Sequence, residues 1–183
     1  LIGLVGSEMC IRDSLYYGKS GFSGELGHFC MFENEVLCHC GKKGCLETEA
    51  SGSAFHRILM ERYREGSNTI LAGKLDSGEE ISLGDLLEAV RKEDVLCIDI
   101  LEKMGVNLGK GIAGLMNIFN PELVILGGTL SLAGEYISLP IKSAIRKYSL
   151  NLVNQDTEIK ISKLGERAGS FGACLLSRSK LLG

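Results

Sequence analysis

Four side chains in the first quarter of the chain could together take up a metal ion: His28, Cys38, Cys40 and Cys45. Three thiols and an imidazole make a complete tetrahedral donor set for zinc, which favours sulfur and nitrogen ligands and has no redox chemistry of its own. Cys38 and Cys40 share one short loop, and Gly41 and Gly44 let that loop fold back to deliver Cys45. Four protein ligands leave no open coordination position, so such an ion would be structural. The alternative is a set of free thiols in a loop. Cys30, Cys97 and Cys174 stand alone and are expected to be small buried hydrophobes. His39, between two of the ligands, is expected to point into solvent, and His56 to sit on a helix at a surface or interface.

Carboxylates lie close by in sequence. Glu25 precedes His28 by three residues, and Glu47 follows Cys45 by two. If His28 and Cys45 bind one ion, both carboxylates converge on the same small volume. An ionised carboxylate on a pinned loop suits vicinal hydroxyls, because it can accept two hydrogen bonds from a polyol. On spacing alone either residue could equally be solvated, and Glu33, Glu35 and Glu49 are read that way. A glycosidase pair is the other chemistry open to two carboxylates, but no second feature supports it.

The elements that must position these groups follow from pattern. Gly18 to His28 is glycine-rich loop, Phe29 to Leu37 is mixed with a hairpin turn at Asn34, and Cys38 to Cys45 is a tight loop. Apolar residues at three- and four-residue steps predict a helix over 48–64. Glu65 to Glu80 reads as loop with a short helical piece, and Ser82 can cap a helix from Leu83 with Asp85 in its first turn. After a break at Arg91–Glu93, a long helix is expected from Asp94 to Phe119, ended by Asn120–Pro121. Gly105, Gly109, Gly111 and Gly114 inside it each cost about 1 kcal/mol against Ala, so a close approach must compensate. Leu123 to Leu126 is an all-apolar strand, expected in a sheet covered on both faces and ended by Gly127–Gly128. A helix from Pro140 to Tyr148, a strand from Glu158 to Ser162 and a last helix from Arg167 to Leu182 complete an α/β pattern.

Composition bounds the class. The 183 residues carry 20 Lys+Arg against 23 Asp+Glu, with 45% apolar and 23% charged residues, which is globular usage and not disorder. A net charge of −3 gives no electrostatic footprint for nucleic acid or anionic lipid. No apolar run is long enough to span a bilayer. Clustered cysteines without a secretory signal fit metal binding in the cytoplasm better than disulfides. Leu1–Ser14 contains Met9-Cys10-Ile11-Arg12-Asp13-Ser14, which resembles the translated end of a sequencing adapter. That segment is expected to be non-native, with the protein proper at 15–183 and continuing upstream.

The run Gly21-Phe22-Ser23-Gly24-Glu25-Leu26-Gly27-His28, followed by Cys38-His39-Cys40-Gly41-Lys42-Lys43-Gly44-Cys45-Leu46-Glu47, resembles the signature of the ROK family (repressor, open reading frame, kinase). Asn120 to Gly128 and Ala168 to Ala173 resemble later segments of that family. The resemblance implies the C-terminal lobe of an actin-like, ribonuclease-H-like ATPase fold, with structural zinc on His28, Cys38, Cys40 and Cys45. It also implies sugar hydroxyls on Glu25, His28 and Glu47, so that His28 presents one ring nitrogen to zinc and the other to the sugar.

Members of the family are repressors or kinases. The kinases need an upstream phosphate loop and an upstream catalytic Asp, and the repressors carry an upstream winged helix-turn-helix. Cys45 to Gly52 and Lys147 to Asn154 look closer to regulators of the NagC/XylR type. Thr129 follows Gly127–Gly128 where many of the kinases have a third glycine. The expectation is the effector-binding and oligomerisation part of a repressor that senses a sugar or sugar phosphate. It would form a homodimer or homotetramer and touch DNA only through an upstream domain. The alternative is the second half of a glucokinase-like enzyme using ATP and Mg2+, with Gly127 and Gly128 at the nucleotide. Neither phosphorylation nor DNA binding is expected of residues 1–183 alone, and an apolar edge should promote association.

Overall fold

The computed structural model describes residues 8–11 and 14–182. Residues 1–7, 12 and 13 of the segment read as foreign lie outside them. The described remainder of that segment, together with Leu15, forms a small exposed hairpin, β1 (Cys10–Ile11) antiparallel to β2 (Ser14–Leu15).

The stretch 48–64 is two helices. α1 (Glu47–Ala50) is a single turn. Ser51 then takes extended backbone, and its hydroxyl accepts the Ala54 N–H at 3.1 Å to cap α2 (Gly52–Arg64). A short α3 (Ala72–Ser77) occupies the polar stretch that follows. α4 (Leu83–Arg91) begins with a reciprocal cap: the Ser82 hydroxyl accepts the Asp85 N–H, and the Asp85 carboxylate accepts the Ser82 N–H. The chain breaks at Glu93, with φ at 60°, and Asp94 caps α5 (Val95–Phe119) by accepting the Cys97 N–H at 2.9 Å. Asn120, in the left-handed region, ends α5 just before Pro121.

β3 (Leu123–Leu126), α6 (Glu135–Tyr148), α7 (Asn151–Asp156) and β4 (Glu158–Ile161) then form a βαβ unit. Its strands pair in parallel, Leu123 opposite Glu158 and Leu126 opposite Ile161. α8 (Ala168–Leu182) follows. α5 is the spine of the core. Its Leu101, Met104 and Met116 pack with Phe55 and Leu59 of α2, Leu86 and Val90 of α4, and Ile141 and Ile145 of α6, all buried. Each such side chain contributes about 1.5–3 kcal/mol of burial.

Three of the four glycines in α5 do mark close approaches. A Cβ on Gly105 would lie 2.9 Å from Pro140 Cβ, one on Gly109 would lie 2.6 Å from the Ile141 carbonyl oxygen, and one on Gly111 would lie 2.8 Å from Leu46 Cδ2. Gly114 faces open space.

Several expectations are corrected. Among the described residues the β3–β4 sheet is covered on one face only: Val124 and Leu126 pack inward, while Leu123 and Ile125 are exposed. Four apolar residues in a row carry no alternation from which this could be read. α6 begins five residues before Pro140, whose ring is accommodated inside the helix against the bare backbone of Gly105. No strand pair flanks Asn34. Cys30 and Cys174 are exposed, the first with its thiol donating to the Lys43 carbonyl at 3.1 Å, while Cys97 is buried as expected. No described helix is long and apolar enough to cross a membrane.

Candidate functional site

Two backbone hydrogen bonds bring the sequence-distant parts of the cluster together. The Leu46 N–H donates to the Phe29 carbonyl at 2.9 Å, and the Met31 N–H donates to the Gly44 carbonyl at 2.8 Å. The segment after His28 thus lies against the segment around Cys45. The loop between closes on itself, with the Cys38 N–H on the Lys42 carbonyl and the Gly41 N–H on the Cys38 carbonyl. Gly44, at φ 76°, has no room for a side chain, since a Cβ there would overlap the Phe32 carbonyl oxygen.

The outcome is a cluster of four ligand atoms, from His28, Cys38, Cys40 and Cys45, all within 4.8 Å of one another. Cys40 Sγ is 3.6 Å from Cys45 Sγ, and Cys38 Sγ is 3.6 Å from His28 Nδ1. A tetrahedral zinc with bonds of about 2.3 Å to sulfur has edges of about 3.7 Å between ligands, so the donor types and spacing both fit that ion. Burial pushes the Cys45 thiol up to about 12, and the neighbouring Cys40 and Cys38 add to the rise. A hydrogen bond from the Lys42 backbone holds Cys40 below its ordinary value. A dication among these thiols would favour their ionised forms. His39 is exposed, and His56 is half-buried on α2.

The carboxylates assigned from sequence lie on either side of the same imidazole. Glu25 Oε2 is 3.7 Å from His28 Nε2, on the solvent side. Glu47 Oε2 is 3.6 Å from His28 Nδ1, on the buried side. Glu47 is 3% exposed, and neither of its oxygens has a hydrogen-bond partner among the described residues. Leaving such a group unpaired costs about 1–3 kcal/mol, and more when it is charged.

Sequence reasoning missed the neighbours of this arrangement. Glu49 is only 15% exposed at its side chain, accepts from Asn34 Nδ2 at 2.8 Å, and pairs with Arg57. The signal available was Ser51-Gly52, a cap and a flexible residue that together break the helix between Glu49 and Arg57. Glu33 and Glu35 are exposed as expected, Glu35 pairing with Lys43. Gly127 and Gly128 line a cavity of about 250 Å³ beneath β3 that Leu26, Ala50, Met104, Ser138 and Ile141 also line.

A parallel βαβ unit, a long central helix and a Cys/His loop define an α/β chain related to the sugar kinases of actin-like ATPase fold. The chain belongs to the ROK family, whose pattern matches residues 5–180. It is 32% identical over 179 residues to a glucokinase of Thermotoga maritima, covering 98% of this chain and 56% of that protein. Among solved structures it resembles a ROK family transcriptional regulator homologous to the Escherichia coli MLC protein, with TM-score 0.83 and 34% identity, covering 94% of this chain and 43% of that one. It also resembles a ROK family glucokinase from Streptomyces griseus in complex with glucose and AMPPNP, with TM-score 0.82 and 29% identity, covering 95% and 57%. The chain therefore spans about half the length of the proteins it matches, and these include both regulators and kinases.

Proposed function

We propose that this chain is the effector-binding and oligomerising part of a sugar-responsive ROK repressor, with Glu25, His28 and Glu47 receiving the sugar hydroxyls. Glu47 is the observation that carries it. A buried carboxylate with two unpaired oxygens beside an imidazole is a destabilising arrangement that a ligand with vicinal hydroxyls would relieve by donating to both oxygens. On this reading residues 15–183 are the C-terminal part of the sugar-binding domain, and Leu1–Ser14 is foreign to it.

His28, Cys38, Cys40 and Cys45 would hold a structural zinc, which would supply a cross-link between two loops too small to have a core of their own. The chain's own residues do the recognition. Nδ1 of His28 faces the Cys38 thiol, which orients the ring so that Nε2 faces Glu25. Signalling would be a population shift: a sugar that favours one arrangement by about 1–3 kcal/mol moves DNA-binding domains carried upstream. Thr129 after Gly127–Gly128 and the likeness to the MLC-related regulator support the regulator reading.

A kinase half is the second reading. It is favoured by the cavity that Gly127 and Gly128 line, where ATP with Mg2+ would sit, and by the likeness to glucokinases.

The site is tested by titrating the zinc-loaded chain with D-glucose, D-xylose and N-acetyl-D-glucosamine, followed by NMR. Glu47→Ala is expected to weaken the sugar that binds by about tenfold or more; unchanged affinity removes Glu47 from the site. The two readings part on a protein of the relatives' full length. Sugar-dependent release of DNA supports the repressor, and ATP-dependent phosphorylation of a hexose overturns a purely regulatory role.

A further inference from the structure

We infer that Arg57 is a positioning residue for the sugar site, acting through Glu49 and the Thr48 carbonyl on the one-turn helix that carries Glu47. The inference rests on reading Glu47 as a sugar ligand. Among the described residues neither Glu47 oxygen has a hydrogen bond to hold it, so the aim of this side chain depends on the backbone of α1. That helix has four residues and no side-chain cap at its start, and the chain turns away at Ser51. A single turn so short does not hold itself.

What grips it comes from elsewhere in the chain. Arg57 Nη2, on α2, donates to the Thr48 carbonyl at 2.8 Å and reaches Glu49 Oε1 at 3.4 Å. Arg57 Nη1 is anchored on both Glu61 oxygens, at 2.9 and 2.8 Å. From the other side, Asn34 Nδ2 donates to Glu49 Oε1 at 2.8 Å, while Asn34 Oδ1 accepts the Val36 N–H. The segment joining His28 to Cys38, the single turn α1 and the long α2 thus meet at Glu49. Positions two apart on a helix point about 200° apart. Gripping Glu49 on one side therefore turns Glu47 toward His28 on the other. Thr48 Oγ1 donates to the Cys45 carbonyl at 2.7 Å and fastens the same turn to the Cys/His loop. An exposed ion pair would contribute little, but these groups are largely covered and end on a backbone carbonyl.

The test compares wild type, Arg57→Ala, Arg57→Lys and Glu47→Gln in the zinc-loaded full chain, titrated with D-glucose, D-xylose and N-acetyl-D-glucosamine. Arg57→Ala is expected to weaken the bound sugar about tenfold and to speed amide exchange over 47–50, with zinc per chain unchanged. Arg57→Lys, which can still donate to the Thr48 carbonyl, recovers part of the affinity. Adding Arg57→Ala to Glu47→Gln weakens binding no further, because both act through one contact. Wild-type affinity in Arg57→Ala, where Glu47→Gln binds weakly, overturns the inference and leaves the sugar site standing. A wild-type chain that binds none of the three sugars, or Glu47→Gln with full affinity, overturns the sugar reading and this inference with it. If Arg57→Ala does not fold, Glu49→Gln replaces it: weaker sugar binding supports the inference, and wild-type affinity overturns it.

Discussion

Gly111 lies directly against Leu46, so that a Cβ added to it would come 2.8 Å from Leu46 Cδ2. Leu46 is fully buried and stands between Cys45 and Glu47. The missing side chain in the middle of α5 is thus what lets the Cys/His loop and the carboxylate beside it seat on the core. A side chain here has to push the loop outward. Gly111→Ala is expected to destabilise the chain by about 1–3 kcal/mol. Gly114→Ala, three residues on and facing open space, should stabilise it by about 0.5–1 kcal/mol through helix propensity. Urea unfolding of the two variants checks the pair; equal effects would mean that the contact with Leu46 carries no weight.

Metal content follows from the four ligand atoms. Chain purified without chelator should carry one zinc, read by elemental analysis, and far less than one per chain removes the site. Cys45→Ser should lose the ion, because Cys45 is wholly buried and no other described thiol or imidazole joins the cluster. The loss is expected to cost several kcal/mol, since metal binding to a loop that is otherwise poorly supported is folding energy. Strong chelation of the wild type should lower the melting temperature to the same extent.

The parts of the molecule legible in the sequence are those set by local pattern. Asp94 and Asn120 bound the long helix because a cap and a turn-former announce themselves within one turn. His28, Cys38, Cys40 and Cys45 could be grouped because few structures other than a metal site gather those donor types. What stayed hidden depends on partners far along the chain. Glu49 reads as a surface acid until the break at Ser51 lets Arg57, eight residues on, fold back to it, and Asn34 comes from fifteen residues before. On one continuous helix Glu49 and Arg57 would stand about 12 Å apart along the axis. The one-sided sheet was hidden for a different reason, because Leu123 to Leu126 are apolar whichever face is covered.

Acid sensitivity should trace partly to Asp94. Burial pushes its carboxyl up, but the Cys97 and Ile70 N–H groups and the Thr69 hydroxyl outweigh that and hold it below the usual range. A carboxylate depressed in the folded state contributes stability that is present above its unfolded pKa, about 3.9. That stability is lost as pH falls through the lower folded value. Asp94→Asn can still cap through Oδ1 but presents an amide donor to the Ile70 N–H, so it should cost about 1–3 kcal/mol at neutral pH and flatten the decline of stability below pH 4. Parallel denaturation curves of the two proteins down to pH 3 would show that Asp94 is not the group responsible.

The open face of β3 sets a last pair of outcomes. Ile125 is 62% exposed, while Val124, its neighbour on the other face, packs on the core. Successive strand residues point to opposite faces, so the same substitution at the two positions should give opposite results. Val124→Lys brings an ammonium to a partly buried apolar position and should destabilise the chain by about 1–3 kcal/mol. Ile125→Lys should leave the stability of the chain within about 0.5 kcal/mol of wild type. It should also reduce concentration-dependent association in sedimentation, because it puts charge on an apolar, unpartnered strand face. Association undiminished in Ile125→Lys would place the self-contact elsewhere, and the next surface to vary would be the exposed Phe171, Leu175 and Leu176 of α8.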